Sequence, residues 1–275
     1  MKDTLISREE LRSLHPLFRG KHGDKLIDLG IKISGLNVAN EVYNRSKHYS
    51  GPAFCKDLLD KLEITRIVRN GEMLDAFRDR PFITVSNHPY GHIDGIAAIE
   101  TVANRIPDYK MMVNVILGLV DTMAENFITV NPMKYGDKDS ITYAGIKECF
   151  AHLRAGFPLG FFAAGAVSNL VFRKGKWVIE DREWQPAVIK IIKKAKVPVI
   201  PMHISGRNSL SFYLSRIFGY QVRTLRLCHE LGNKEGKEMV ITFGEPIMPD
   251  KIASFHDIPE LAHHLKEKTY ALGYK

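Results

Sequence analysis

From residue 63 onward the chain alternates short apolar runs with stretches of helical period, and this alternation limits the fold more than any other feature. Apolar runs at residues 64–69, 82–86, 110–115, 127–130, 158–162, 197–203 and 239–243 have strand length. Between them, residues 95–103, 140–154, 186–196, 224–231 and 258–272 place apolar side chains at helical spacing. Strands that alternate with helices predict an α/β fold, a mainly parallel mixed sheet flanked by helices on both faces. Residues 1–62 read differently, with helical periods at 8–14, 24–34 and 54–62 and Gly51-Pro52 as punctuation. The expected organisation is an N-terminal helical segment over 1–62 and an α/β domain over 63–275.

No apolar stretch approaches the roughly 20 residues a spanning helix needs, and the charged start MKDTLISREELRSLHPL lacks the apolar centre of a secretory signal. The three cysteines, Cys55, Cys149 and Cys228, are far apart and carry no metal-ligand spacing, so a reducing cytoplasm is the expected home. The formal net charge of +8 points to an anionic partner. No nucleic-acid motif accompanies it; an acidic membrane surface, an acidic carrier protein and solubility alone are the readings of this charge.

In parallel sheets the chemistry gathers beyond the carboxyl ends of the strands. The run Phe82-Ile-Thr-Val-Ser86 leads directly into Asn87-His88-Pro89-Tyr90-Gly91-His92-Ile93-Asp94-Gly95. Two histidines and an aspartate thus share one strand-to-helix loop. Asp94 is placed as an N-cap, where the helix end favours its anionic form. A fixed carboxylate can orient an imidazole and stabilise its protonated form, which makes a neutral-pH general base. A metal-dependent hydrolase is an alternative for this His-rich loop, but its histidines are four apart and Gly95 stands where a further ligand is needed.

Asn87-His88 followed by Asp94-Gly95 after an apolar strand resembles the first motif of the glycerolipid acyltransferase superfamily, the lysophosphatidate acyltransferase type. Five residues separate His88 from Asp94 here, where that motif has four. The longer Asn-His-Pro…Asp-Gly form resembles the bacterial hemolysin-like branch, which includes O-acyltransferases of lyso-amino-acid lipids of the ornithine and glycine type. The resemblance extends over residues 63 to 250. Phe127-Ile-Thr-Val-Asn-Pro132 resembles the second motif, and Phe162-Ala-Ala-Gly-Ala-Val-Ser168 the third. There Ala163, Ala164 and Val167 replace the proline, glutamate and arginine of phosphate-using members. Val197-Pro-Val-Ile-Pro-Met202 resembles the fourth motif.

The resemblance implies an O-acyltransferase with His88 as general base and Asp94 as its partner. Asn87, Phe127, Asn131, Gly165, Ala166, Val167 and Ser168 would line the substrate site. Arg207, just past the fourth-motif strand, is the candidate contact for an acceptor anion. The acyl donor would be an acyl carrier protein or coenzyme A thioester, with no cofactor, and the acceptor a lysolipid hydroxyl. A phosphomonoester carries about two negative charges and is normally met by fixed cations. The altered third motif therefore favours a lyso-amino-acid lipid over 1-acylglycerol-3-phosphate as acceptor. A lipid-binding protein of the same fold without activity is the alternative outside enzymes. The basic stretches at 173–176 and 190–196 suggest peripheral attachment to the inner face of the cell membrane, helped by apolar residues of the first 62 positions.

Overall fold

Strands buried on both faces read as near-continuous apolar runs, and those runs form the central sheet. The computed structural model describes residues 4–14, 16–20, 22–131, 140–173, 175–219, 223 and 226–274. The strands are β1 (Thr65–Arg69), β2 (Ile83–Ser86), β3 (Lys110–Asn114), β4 (Phe127–Val130), β5 (Leu159–Phe162), β6 (Asn169–Arg173), β7 (Lys176–Glu180), β8 (Val199–Ile204) and β9 (Glu238–Phe243). Seven of them make one sheet in the order β1-β9-β8-β2-β5-β3-β4. Strands β8, β2, β5, β3 and β4 run parallel, while β9 pairs antiparallel with β8 and parallel with β1. The sheet is therefore mixed and mainly parallel, as the alternation predicts.

The helices are α1 (Arg8–Leu14), α2 (Gly23–Ser34), α3 (Leu36–Ser46), α4 (Gly51–Lys61), α5 (Ile93–Ala103), α6 (Ser140–Arg154), α7 (Pro186–Ala195), α8 (Leu210–Leu214), α9 (Leu227–Gly232), α10 (Pro249–Ala253) and α11 (Ile258–Ala271). They cover both faces. One core joins α3, α4 and α5 to Ile200, Met202 and Ile204 of β8 and to Ile241 and Phe243 of β9. The other joins α6, α7 and α11 to Ile83 and Val85 of β2 and Leu159 and Phe161 of β5. Helices from the first 62 residues thus bury their apolar stripes in the same core as the sheet, and α3 packs on α9.

Several elements depart from the expectations. Helices α3, α8 and α10 and strands β6 and β7 fill stretches with no predicted element. In the basic stretch at 173–176, Arg173 and Lys176 are the outermost pair of an antiparallel hairpin, β6–β7, that stands apart from the main sheet. The expected helix at 224–231 is described as α9, with residues 224 and 225 outside the described residues. Pro132 of the second motif region also lies outside them. Among the described residues, no helix is long and apolar enough to cross a membrane.

Candidate active site

Strand order decides which loops meet. Strand β2 lies between β8 and β5 and runs parallel to both. The loops that follow these three strands therefore share the carboxyl edge of the sheet. They are 87–92, 163–168 and 205–209, which are the first, third and post-fourth motif segments.

The first of these loops brings His88 and Asp94 together. His88 Nδ1 lies 2.8 Å from Asp94 Oδ2, with the aspartate side chain fully buried and the imidazole 15% exposed. The approach is close in distance but off the in-line direction of an ideal hydrogen bond. Asp94 Oδ2 also accepts from the backbone N–H groups of Tyr90 at 2.9 Å and Gly91 at 2.8 Å. The additional residue between His88 and Asp94 is accommodated by this turn. Gly91 has φ +92°, and a Cβ there would meet Val167 at 2.5 Å, so the position requires glycine. His88 Nε2 has no hydrogen-bond partner among the described residues. The ring stacks on Phe162 at the end of β5, with centroids 4.0 Å apart and planes 20° apart.

Asp94 is not the N-cap that the sequence suggests. That place belongs to His92, whose Nδ1 accepts from Ile93 N at 2.8 Å. His92 Nε2 then carries the proton and donates to the Leu227 carbonyl at 2.9 Å. Burial, the largest effect, pushes the His92 pKa down to about 4. This imidazole is neutral, with both nitrogens engaged, so of the two histidines only His88 has a ring nitrogen open to a reactant. The same occupancy leaves His92 no lone pair for a metal ion.

A second buried carboxylate, which no sequence motif indicates, completes the surroundings. Asp181 follows β7 directly, and its Oδ1 accepts from His88 N at 3.3 Å and from Ser168 Oγ at 2.6 Å. Its Oδ2 accepts from Trp184 Nε1 at 3.1 Å. Burial raises the Asp181 pKa, while Ser168, Trp184 and the nearby His88 oppose that rise.

The remaining sequence candidates divide by location. Asn87 is buried, and its amide is engaged with backbone: Nδ2 donates to Ile204 O at 2.9 Å and Oδ1 accepts from Ile204 N at 2.8 Å. It ties β2 to β8 instead of facing a ligand. Gly165, Ala166, Val167 and Ser168 line the His88 loop, and Ser168 N donates to His88 O at 2.8 Å. Gly165 N donates to Phe162 O at 2.9 Å, so these two amides brace the loop and do not face a ligand. Gly165 has φ +59°, and a Cβ there would strike Gln185.

Cations do reach the third motif, but from elsewhere in the chain. Arg182 Nε donates to Ala164 O at 2.9 Å, and Arg223 Nη2 donates to Val167 O at 3.3 Å. Arg207 is exposed on the loop after β8. Asn208 beside it donates to the Tyr90 carbonyl at 3.0 Å, which fixes that loop over the first. Phe127 and Asn131 are not brought to this centre. Strand β4 is an edge strand three positions from β2, about 14 Å along the sheet. Phe127 opens that strand at the opposite, amino edge, while Asn131 follows its carboxyl end.

Residues 54–275 match the family model described as Acyltransferase. A lyso-glycine lipid O-acyltransferase of Bacteroides thetaiotaomicron is 28% identical over 249 residues, covering 88% of this chain and 87% of the relative. A protein of the same description from Phocaeicola vulgatus is 25% identical over 195 residues, covering 68% and 67%. The crystal structure of the 1-acyl-sn-glycerophosphate acyltransferase PlsC from Thermotoga maritima aligns with 98% of this chain and 97% of that one, at 16% identity and a TM-score of 0.49.

Proposed function

The chain belongs to the acyltransferase family, and on that premise we propose that it moves a fatty acyl group from a thioester to the free hydroxyl of an N-(3-hydroxyacyl) amino acid of the lyso-glycine lipid class. The observation that carries the reading is the close approach of His88 Nδ1 to buried Asp94 with Nε2 left open, while His92 is locked neutral. In the proposed step, Nε2 takes the proton of the acceptor hydroxyl as its oxygen attacks the thioester carbonyl carbon. The tetrahedral oxyanion collapses, the carbon–sulfur bond breaks, and the imidazolium returns the proton to the departing thiolate. One ester and one thiol result. Asp94, and Asp181 behind the loop, stabilise the imidazolium between these events. The step uses no cofactor, and the donor is an acyl carrier protein or coenzyme A thioester.

The acceptor class rests on two supports. Both curated relatives bear the name lyso-glycine lipid O-acyltransferase, and the third motif places small apolar side chains, Ala164 and Val167, at the positions where phosphate-using members carry charge. Arg182 and Arg223, which reach that loop's carbonyls, favour 1-acylglycerol-3-phosphate as the second reading. A lipid acceptor places the enzyme at a membrane, attached peripherally to its inner face. The test is competition. With one acyl thioester and equal N-(3-hydroxyacyl)glycine and lysophosphatidate, the amino-acid lipid should be acylated preferentially. Preference for lysophosphatidate would overturn the acceptor assignment and leave acyl transfer intact.

A further inference from the structure

A lipid acceptor must pass from a bilayer to His88, and the fold offers one surface built from the residues that hold His88. The hairpin β6–β7 begins immediately after Ser168, whose N–H donates to the His88 carbonyl, and ends immediately before Asp181, which accepts from the His88 N–H. Both feet of the hairpin therefore stand on the catalytic loop. In its antiparallel register Leu170 opposes Ile179 and Phe172 opposes Trp177, so these four side chains share one face. The inner pair packs against Phe212 and Tyr213 of α8. The outer pair continues that face into solvent: Phe172 is 61% and Trp177 66% exposed, with ring centroids 5.3 Å apart. They stand about 13 Å out from Ser168 and Asp181, four strand residues in each case.

Helix α8 and the turn after it present a matching stripe. Leu210, Leu214 and Ile217 recur at helical spacing and are 62%, 53% and 81% exposed, while Phe212 and Tyr213 between them are buried. Apolar side chains at i, i+4 and i+7 normally face a core. Here they face outward, beside the hairpin face that Phe212 and Tyr213 join to them. Exposed apolar patches of this kind mark interaction sites.

Charge selects the occupant. Residues 165–179 and 205–229 contain seven lysines and arginines and no aspartate or glutamate. Arg173, Lys176 and Arg216 are exposed close to the apolar side chains, although Arg173 also pairs with Glu180 at the foot of the hairpin. Aromatic rings at a protruding tip, flanked by cations, suit the interface of an anionic bilayer. The other basic stretch is placed differently. Helix α7 runs back across the sheet into the start of β8, so its lysine-rich end lies at the amino edge, away from His88.

We propose that the β6–β7 tip, Phe172 and Trp177, together with the Leu210, Leu214 and Ile217 stripe, is the surface by which this enzyme docks on anionic lipid bilayers and draws its acceptor to His88. The proposal rests on the reading of a lipid acceptor and assigns that reading a surface. Trp177 is also its reporter, because the chain's other tryptophan, Trp184, is buried and cannot respond to the bilayer. Full-length protein is titrated with vesicles of phosphatidylcholine alone and with added phosphatidylglycerol, and tryptophan emission and co-sedimentation are recorded.

Anionic vesicles should shift the emission to the blue. Phe172→Ser/Trp177→Ser and, separately, Leu214→Ser/Ile217→Ser should each lower the partition coefficient at least about tenfold. Lys190→Glu/Lys194→Glu on α7 should change it less than twofold. The proposal falls if wild-type protein ignores anionic vesicles, if it sediments with them while Trp177 emission stays fixed, or if the α7 variant loses as much as the hairpin variant. It also falls if the hairpin variant keeps vesicle binding and loses instead an acyl carrier protein or a second copy of the chain. A short-chain, freely soluble acceptor separates the two readings. Its turnover should be equal in wild type and hairpin variant, and failure of wild type to acylate it would overturn acyl transfer without touching the docking result.

Discussion

Replacing Asp94 by asparagine keeps the size and most of the hydrogen bonding of the side chain while removing its charge. The amide oxygen can still accept from Tyr90 N and Gly91 N, which now bond Asp94 Oδ2 at 2.9 and 2.8 Å. The same oxygen position faces His88 Nδ1, so the amide NH2 would take the place of Oδ1 and the imidazole keeps an acceptor beside it. What the substitution removes is the anion that lies 2.8 Å from the imidazolium formed during transfer. At this distance and an effective dielectric of about 20, the lost attraction is about 6 kcal/mol. A charge-assisted hydrogen bond by itself is worth about 1.5–3 kcal/mol. A loss of about 10²–10⁴-fold in kcat/KM follows from this range. The fold should suffer much less, by about 1–2 kcal/mol, or roughly 2–8 °C in Tm. Thiol release from the thioester, followed with a chromogenic reagent at saturating acceptor, measures the first quantity, and a thermal melt the second. Asp94→Asn activity within about fivefold of wild type, with an intact melt, would refute the pairing argument.

Two further substitutions test the supports of the loop. Asn87→Ala should lower stability by about 2–3 kcal/mol, visible as a melting point roughly 4–12 °C lower, because it strips the partners from the Ile204 N–H and carbonyl; an unchanged melt would contradict that role. His92→Asn should keep most of the activity and weaken the fall in stability on acidification from pH 7 to pH 5. In the unfolded chain this imidazole takes up a proton near its ordinary 6.5, whereas the buried one, between Asp94, Lys234 and Glu230, stays neutral to about 4. Acid within that window therefore favours unfolding, by up to about 2 kcal/mol at pH 5. His203, also pushed down to about 4 by burial, should leave part of the slope in the variant. A variant with the wild-type slope would show that His92 is not its source.

The parts of this fold legible in the sequence are those whose pattern has one physical cause. Parallel strands covered on both faces must be apolar throughout, so Phe82-Ile-Thr-Val and Val199–Ile204 declare themselves. The pairing of His88 with Asp94 follows from a motif confined to one loop. Spatial order is not written locally. Nothing in the sequence says that β8 and β5 flank β2, and that order is what brings Ser168 and Asn208 to the His88 loop and leaves Asn131 three strands away. Asp181 escapes sequence reading for the same reason, since it reaches His88 only through the hairpin that precedes it. That hairpin is masked by its own cations, because Arg173 and Lys176 read as a solvated stretch and not as the outermost pair of two strands. In α3 the apolar stripe of Leu36, Ala39, Val42 and Tyr43 is diluted by three asparagines, which favour turns over helix interiors. Asp94 looks like an N-cap because caps favour aspartate, but His92 fills that position and frees the carboxylate for His88.

The most direct test of acyl transfer through His88 follows both products of the proposed step. Purified protein is mixed with an isotope-labelled acyl thioester and N-(3-hydroxyacyl)glycine, and ester and free thiol are quantified by mass spectrometry for wild type and His88→Gln. Wild type should form one labelled ester for each thiol released, and His88→Gln should form it about 10²–10⁴-fold more slowly with its melting curve preserved. Equal ester formation by the two proteins, or thiol release by wild type without ester, would contradict the account.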